Sequence, residues 1–179
     1  MRRVQEAALT LFEQRGYDGV SIEEIAAAAE VGPATVYRNF GTKERLVLWD
    51  EYDPMLLEAV GEELREHPVI PAMERALKRS LGSVYREDRA RILRRARLMS
   101  KTPALEGASE ADQRLLRQAL ADVLRASGRV RDELDGRVVA GALVAALTAG
   151  VQRWLAGEAR EPLARCFSRA FACLTRLSR

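Results

Sequence analysis

The sequence contains very few of the residues that form metal centres, disulfides and catalytic dyads. Its 179 residues include one histidine, His67, and two cysteines, Cys166 and Cys173. The cysteines are seven positions apart on a predicted helix, so their Cα atoms lie about 10 Å apart, beyond disulfide reach within one chain. No metal or cofactor is therefore expected. The cysteines are interpreted as core residues, with a redox-sensing or intersubunit role as the alternative.

A strong charge excess and long apolar runs are also missing. The chain has 29 lysines and arginines against 26 acidic residues, and it is 47% hydrophobic, as is typical of globular proteins. The longest apolar run, residues 138–151, has 14 residues and is shorter than a bilayer span. No apolar segment follows Met1, so a cytoplasmic protein without membrane contact is expected. With a net charge of only +3, affinity for nucleic acid must come from placed charges.

Alternating runs of β-branched residues, which would predict strands, are absent as well. The apolar spacing instead predicts helices throughout, so the expected fold class is all-α. Proline, glycine and the Glu87–Asp88 step are taken as the breaks between helices. The predicted helices are residues 2–15, two short segments between Ser21 and Phe40, and then about 43–66, 70–85, 88–101, 107–127, 135–157 and 161–178.

The segment from Ser21 to Lys43 predicts two short helices joined by a tight turn. Ser21 is a good N-cap, and Glu24 three residues later completes a capping box. Pro33 stands where the first residue of the second helix is expected. Val36 and Phe40 are spaced to turn inward together, which leaves the opposite face of that helix outside. This pattern is a helix-turn-helix, whose second helix can enter the major groove of DNA.

The segment from Val4 to Leu46 resembles the DNA-binding domain of the tetracycline-repressor (TetR) family of bacterial regulators. The matching pieces are AALTLFEQRGYDGVS, IEEIAAAAEVG and ATVYRNFGTKERL. The resemblance implies a nine-helix fold with a helix-turn-helix domain at residues 1–45 and a bundle for ligand binding and dimerisation at residues 46–179. It also implies a ligand-responsive transcriptional regulator that binds operator DNA as a homodimer, with repression as the expected action and activation as the alternative.

Three positions depart from the usual family pattern. Glu30 stands where members usually carry glycine, and a left-handed conformation there would cost roughly 1 kcal/mol. Gly32 replaces a common serine or threonine, so this N-cap offers no hydroxyl. Asn39 stands where an aromatic residue or histidine is frequent. The operator sequence therefore cannot be carried over from the family.

The family's DNA-contact positions fall on the second helix of the motif and on its flanks. The Tyr37 hydroxyl and the Lys43 ammonium suit phosphates, whereas Arg38 can pair with guanine and Asn39 with adenine. The alternative is that these residues merely form the solvated face of a small helix. The predicted contact residues are Ser21, Pro33, Ala34, Thr35, Tyr37, Arg38, Asn39 and Lys43.

The helix predicted at 135–157 is apolar almost all round, so it must be covered on every side. A small monomer can hardly do this, and a subunit interface shared with the last helix is expected. The resemblance implies the same: a two-fold dimer through a four-helix bundle, which must read a near-palindrome with half-sites about one helical turn apart, or a small multiple of that spacing. The alternative is a central helix of a monomer. The predicted interface residues are Val139, Leu143, Leu147, Val151, Phe167, Phe171 and Leu174.

A pocket for a small apolar or amphipathic effector is expected among the later helices, where aromatic and methionine side chains can adapt to its shape. Arginines crowd residues 89–97; a solvated face is the default, and contact of Arg97 with an anionic head group is the alternative. The alternative for each predicted lining residue is an ordinary position in the hydrophobic core, without ligand contact. The segment 98–105 faintly resembles a family subgroup with acyl-type effectors. The predicted lining residues are Trp49, Tyr52, Met55, Met73, Leu77, Tyr85, Arg97, Met99 and Trp154.

The expected mechanism is a population shift, in which an effector tilts the helix predicted at 43–66 and changes the separation of the two DNA-reading helices. The chief alternative is a constitutive DNA-binding or architectural protein with a solid core. A DNA-binding protein without sequence preference is another. An enzyme is the least favoured class, because the sequence shows no nucleophile–base pair, metal cluster or phosphate-binding loop.

Overall fold

The chain folds into helices joined by short turns. The computed structural model describes residues 1–49 and 53–177, and their side chains except those of 53, 81–87 and 177. These residues contain no strand, so the predicted all-α fold is confirmed. The helices are α1 (Arg2–Arg15), α2 (Ile22–Ala28), α3 (Pro33–Phe40), α4 (Lys43–Leu48), α5 (Asp53–Glu63), α6 (Val69–Lys101), a 3₁₀ turn (Pro103–Leu105), α7 (Glu106–Ala126), α8 (Glu133–Ala156) and α9 (Leu163–Leu177).

Two predicted helix boundaries are wrong, and the errors cancel in the total of nine α-helices among the described residues. The helix predicted at 43–66 is two helices, because α4 ends at Leu48 and Trp49 is extended, with φ −50° and ψ 119°. Pro54, in the first turn of α5, explains the break, because proline inside a longer helix would lack a donor and clash with the preceding turn. Conversely, the helices predicted at 70–85 and 88–101 form the single α6. Glu87 and Asp88 do not interrupt it, since an acidic pair has no steric effect comparable to that of proline.

The helices pack into two compact units that are not contiguous in sequence. The first unit consists of Met1–Asp50 and Ala90–Ala111, and the second of Glu51–Arg89 and Asp112–Arg179. Residues 69–89 of α6 thus belong to the second unit and residues 90–101 to the first. The domains expected at 1–45 and 46–179 did not anticipate this second segment of the first unit.

The core of the first unit joins α1 to α4 with residues from the far end of α6. Phe12, Ile25 and Val36 are buried at its centre. Leu105 in the 3₁₀ turn is also buried in this core, with 1% of its surface exposed, and Met99 packs against it. The segment 98–105 therefore supplies part of the core that surrounds the helix-turn-helix.

A buried glutamine holds the end of α4. Gln5 on α1 is fully buried, and its side-chain nitrogen lies 3.0 Å from the carbonyl oxygen of Leu46, 3.3 Å from that of Val47 and 2.9 Å from that of Trp49. Its oxygen accepts a hydrogen bond of 2.8 Å from Arg91 on α6. Carbonyls at the end of a helix lack partners within the helix, and here a side chain supplies the donor.

The arginines of α6 do not all form the solvated face that is the default for a charge run. Arg94 makes hydrogen bonds of 2.7 and 2.8 Å to the two carboxylate oxygens of Glu13, and Arg95 donates 2.7 Å to the carbonyl of Trp49. With Arg91 they form half-buried contacts inside the first unit, so the default expectation is wrong for these three. Arg97 is exposed.

The second unit is built around the pair α8 and α9. Gly150 allows their close approach, because a Cβ atom there would lie 2.5 Å from the ring of Phe167. The turn between the two helices contains two residues in the left-handed region, Glu158 and Ala159, with φ of 53° and 57°. The carbonyl of Ala159 accepts a hydrogen bond of 2.7 Å from Arg89 on α6, which fixes this turn.

The turn of the helix-turn-helix contains a left-handed residue at position 30, where a glycine is usual in the family that the sequence resembles. Glu30 has φ 53°, and the guanidinium of Arg3 donates to the carbonyls of Ala29 and Glu30. A third nitrogen–oxygen contact, of 3.5 Å, joins Arg3 to the carboxylate of Glu30. Both groups of this pair are largely exposed, so the ion pair adds little, and the backbone strain at Glu30 persists.

Replacing Glu30 with glycine is expected to raise the free energy of unfolding by about 1 kcal/mol, because glycine adopts a positive φ without a Cβ penalty. Urea unfolding followed by circular dichroism measures this change. Glu30→Ala is the matched control: it also removes the contact with Arg3 but keeps the Cβ atom, so no stabilisation is expected. Equal stability of the two variants would contradict the assignment of strain to this backbone.

Candidate nucleic-acid interface

The helix-turn-helix is fixed locally by the capping box that the sequence predicts. The Ser21 hydroxyl accepts from the Glu24 amide at 3.2 Å, and the Glu24 carboxylate accepts from the Ser21 amide at 2.8 Å. Arg15 on α1 also donates to Glu24 at 2.6 Å. The Ser21 amide and the Arg15 guanidinium lower the pKa of Glu24 to about 2. The start of α2 is therefore held to α1 by a carboxylate that stays ionised at neutral pH.

α3 has one buried and one exposed face, as predicted. Val36 and Phe40 are buried, with 0% and 5% of their surfaces exposed. Pro33 is the first residue of the helix, and Gly32 caps it without a side-chain hydrogen bond. Thr35 is half-buried. The exposed residues are Pro33, Ala34, Tyr37, Arg38 and Asn39, five of the eight predicted contacts; Ser21, the N-cap of α2, is also exposed.

The three polar side chains at the end of α3 differ in their partners. Tyr37 is 46% exposed, and its hydroxyl donates to a carboxylate oxygen of Glu23 on α2 at 3.2 Å. That hydrogen bond and the negative charge of Glu23 raise the pKa of Tyr37. Asn39 donates at 2.7 Å to the carbonyl of Thr35, one turn back on its own helix. Arg38 has no hydrogen bond or ion pair within the part of the chain that the structure describes, so its guanidinium is available to a ligand.

Lys43 has a structural role that its sequence position did not reveal. Its ammonium donates to the carbonyls of Tyr17 at 2.8 Å and Val20 at 3.0 Å, and it lies 4.2 Å from the centre of the Tyr17 ring. These contacts hold the loop between α1 and α2 against the start of α4. An ammonium has three N–H donors, and two are used here, so one remains for a phosphate. Only the phosphate contact of Lys43 was predicted from the sequence.

The predicted effector-binding residues are divided between the two units. Tyr52 and the side chain of Tyr85 lie outside the described residues. Met55, at 50%, is exposed, as is Arg97. Trp49, Arg97 and Met99 belong to the first unit, and Met55, Met73, Leu77 and Trp154 belong to the second. Met73, Leu77 and Trp154 are buried core. The pocket therefore stays a prediction.

The second unit has an open groove of about 500 Å³ between α6 and α9. Leu77 on α6 lies at this groove, and so do Phe167 and Phe171 on α9. Charged side chains of both helices, among them Lys78 and Arg165, line it as well. One predicted effector contact and two predicted interface residues thus share this surface.

The predicted interface residues on α8 and α9 are partly covered by the chain itself. Leu143, Phe167 and Phe171 are buried, and Val139, Leu147, Val151 and Leu174 are half-buried. A different stripe of α8 is exposed, containing Leu134 at 69%, Val138 at 61%, and the alanines at 145 and 149. Spacings of four, seven and four residues place all four on one helix face. None of these four residues is among the interface residues predicted from the sequence.

α8 is longer than the apolar run seen in the sequence. Its 24 residues, Glu133–Ala156, are long and apolar enough to cross a membrane by length and composition alone, and 33% of its most apolar window is buried inside the chain. Core helices of soluble proteins satisfy the same criterion. The length and composition of α8 are therefore compatible with a subunit interface on the same helix.

The described residues are all-α and contain a capped helix-turn-helix. Tyr37 and Arg38 point outward on its second helix. These features define a DNA-binding protein of the helix-turn-helix class. Residues 5–48 match the family model of bacterial regulatory proteins of the tetR family. Residues 67–178 match the model of the MftR C-terminal domain. The chain belongs to the TetR family of DNA-binding transcriptional regulators, so the expected family and general function are confirmed.

Named relatives are regulators as well. The chain is 31% identical over 138 residues to the HTH-type transcriptional regulator TcmR of Streptomyces glaucescens, which covers 73% of this chain and 53% of TcmR. The chain therefore spans about half the length of that relative. It is 24% identical over 181 residues to the putative mycofactocin biosynthesis transcriptional regulator MftR of Mycobacterium tuberculosis, covering 98% of this chain and 91% of that protein.

A solved structure with the same fold is that of Thermus thermophilus FadR, a TetR-family transcriptional repressor in complex with lauroyl-CoA. It superposes with a TM-score of 0.58 over 97% of this chain and 92% of that chain. The sequence identity of 21% limits this likeness to the fold.

Exchanging Arg38 or Lys43 for alanine is expected to have two different effects. Arg38→Ala should weaken operator binding by roughly 1–3 kcal/mol and relax one base position, without changing stability. Lys43→Ala should lower the free energy of unfolding by about 1–3 kcal/mol, because two carbonyls lose a charged donor. It should also weaken binding to all DNA sequences alike, because a phosphate contact is lost. Binding-site selection and urea unfolding measure both. An unchanged base preference in Arg38→Ala, or unchanged stability in Lys43→Ala, would contradict these roles.

Proposed function

We propose that this protein is a ligand-responsive repressor, which binds a near-palindromic operator as a homodimer and leaves it when a small apolar or amphipathic effector binds. The observation that carries the DNA-binding part is the exposed face of α3, where the Arg38 guanidinium has no partner among the described residues. A bidentate donor presented on a rigid helix suits direct reading of guanine. Ser21, Tyr37 and Lys43 would contact phosphates on either side.

Dimerisation is supported by the apolar stripe of α8. Leu134 and Val138 expose most of their surfaces, and the alanines at 145 and 149 continue the same face. Small residues permit close approach of two helix backbones, and exposed apolar patches of this kind favour association. A two-fold pair of helix-turn-helix units requires an operator with two inverted half-sites. The residues first predicted from the sequence would then lie beside this stripe or beneath it.

Introducing a charge into the stripe is expected to dissociate the dimer. Val138→Glu would place a carboxylate at a position that is 61% exposed in the single chain and, by the proposal, buried in the pair. Sedimentation velocity at micromolar concentration should show a shift from dimer to monomer. Leu115→Glu on α7 is the matched control, because Leu115 is 66% exposed and outside the stripe. A Val138→Glu protein that remains dimeric would exclude this face as the interface.

Release by an effector is the part of the proposal that rests on family relationship. The solved structure of FadR, which has the same fold, is a complex with lauroyl-CoA. This supports an apolar or amphipathic class of effector for this chain. The aromatic and methionine side chains predicted from the sequence suit such a molecule. The relatives carry regulator names, which supports a protein without catalytic activity that acts in the cytoplasm.

The effector mechanism is tested by thermodynamic linkage. A thermal-shift screen with apolar acids, acyl thioesters and lipophilic cations should find compounds that raise the melting temperature. The operator is located by footprinting the promoter next to the gene. A binder found in the screen should then bind the free protein more tightly than the operator complex, by a factor of about 5–150, as measured by calorimetry. Equal affinity for both forms would defeat the mechanism. A screen without any binder would favour the constitutive alternative.

A further inference from the structure

A carboxylate lies directly beside the DNA-reading face of α3. Glu23 on α2 accepts a hydrogen bond of 3.2 Å from the hydroxyl of Tyr37, which is itself 46% exposed. Because Tyr37 is on the exposed face of α3, the negative charge of Glu23 lies at the edge of the surface that would meet the phosphate backbone.

Between Ser21 and Lys43, Glu23 differs in its partner from the other two acidic residues, Glu24 and Glu30. Glu24 is paired with Arg15 at 2.6 Å, and Glu30 with Arg3 at 3.5 Å. The partner of Glu23 within the described residues is the neutral hydroxyl of Tyr37. Its charge is therefore not paired with a cation among the described side chains. Glu23 lies in the first turn of α2, where its charge suits the positive end of the helix dipole, and its exposed hydrogen bond to Tyr37 adds little further stability.

Placed there, the charge acts on DNA binding in two opposite ways. A carboxylate near phosphates repels every DNA sequence, because non-specific affinity depends on the net positive charge that meets the backbone. At the same time, the hydrogen bond holds the Tyr37 hydroxyl in one position beside α2 before DNA arrives. A side chain that is already ordered loses less entropy when it binds, which favours the complex in which that position fits.

We propose that Glu23 is a specificity-determining residue, which lowers affinity for all DNA through its charge and favours the operator by holding Tyr37 in position. The inference rests on the proposed function, in particular on Tyr37 as a phosphate contact. In the operator complex the Tyr37 ring keeps the position that Glu23 gives it and lies against the sugar-phosphate backbone. On other sequences α3 is not seated in the groove, and the ordered position of Tyr37 brings no such contact.

Two substitutions separate the two effects. Glu23→Gln removes the charge but keeps an oxygen that accepts from Tyr37, so affinity for the mapped operator and for a scrambled duplex should rise by the same factor, about 3–10-fold at low salt. This gain should shrink as salt is raised. Glu23→Ala removes both effects. Its affinity for the scrambled duplex should rise as much as that of Glu23→Gln. Its affinity for the operator should be about 2–10-fold lower than that of Glu23→Gln.

Two controls complete the experiment, which uses fluorescence anisotropy with labelled duplexes. Glu66→Gln makes the same change in net charge on the second unit and should leave both affinities unchanged. In a Tyr37→Phe background, Glu23→Gln and Glu23→Ala should become equivalent, because the hydroxyl that distinguishes them is gone. Melting temperatures of all variants verify that they are folded.

Unchanged affinities in Glu23→Gln would overturn the proposal. So would weaker operator binding by Glu23→Gln, which would mean that the carboxylate itself accepts from a base. Equal behaviour of Glu23→Gln and Glu23→Ala in the presence of Tyr37 would leave no role for the hydrogen bond and would overturn the specificity part. If the wild-type protein showed no sequence preference at all, the proposed function would fail, and the charge effect on scrambled DNA would still be measured independently.

Discussion

The first unit depends on one buried amide that satisfies the end of a short helix. α4 has six residues, so its last carbonyls have no helical partner, and a buried unpaired carbonyl costs about 1–3 kcal/mol. Gln5 contacts three of these carbonyls, and Arg91 donates to its oxygen. α1, α4 and α6 are thereby fixed to each other, and α2 and α3 pack on the platform that they form. The position of α3 therefore depends in part on contacts that Gln5 makes among the other helices of the unit.

Local signals in the sequence predicted the local structure of the motif well. Ser21 and Glu24 form the capping box, Pro33 begins α3, and Glu30 is left-handed, because each of these properties depends on a few neighbouring residues. The break between α4 and α5 was equally local, since Pro54 marks it. It was missed because the apolar spacing on both sides of that proline suggested one helix.

Contacts between distant residues were not predictable in the same way. Lys43 was assigned to phosphate because an ammonium at the start of a helix suits an anion, whereas its bonds to the carbonyls of Tyr17 and Val20 depend on how a loop folds. The partners of Arg94 are Glu6 and Glu13, which are seven residues apart and share one face of α1. A charge run on a helix shows neither which face is covered nor by what. The same holds for the effector pocket, which requires several helices to converge.

Leu105 has a practical consequence for anyone who wishes to study DNA recognition with a smaller molecule. A peptide that ends near residue 50 would leave an empty apolar socket where Leu105 and Met99 now pack, and it would also lack the guanidinium that satisfies Gln5. Such an excised fragment would be prone to aggregate or to remain partly unfolded. A minimal DNA-binding module of this protein has to combine two stretches of chain, one of them taken from beyond the middle of the sequence.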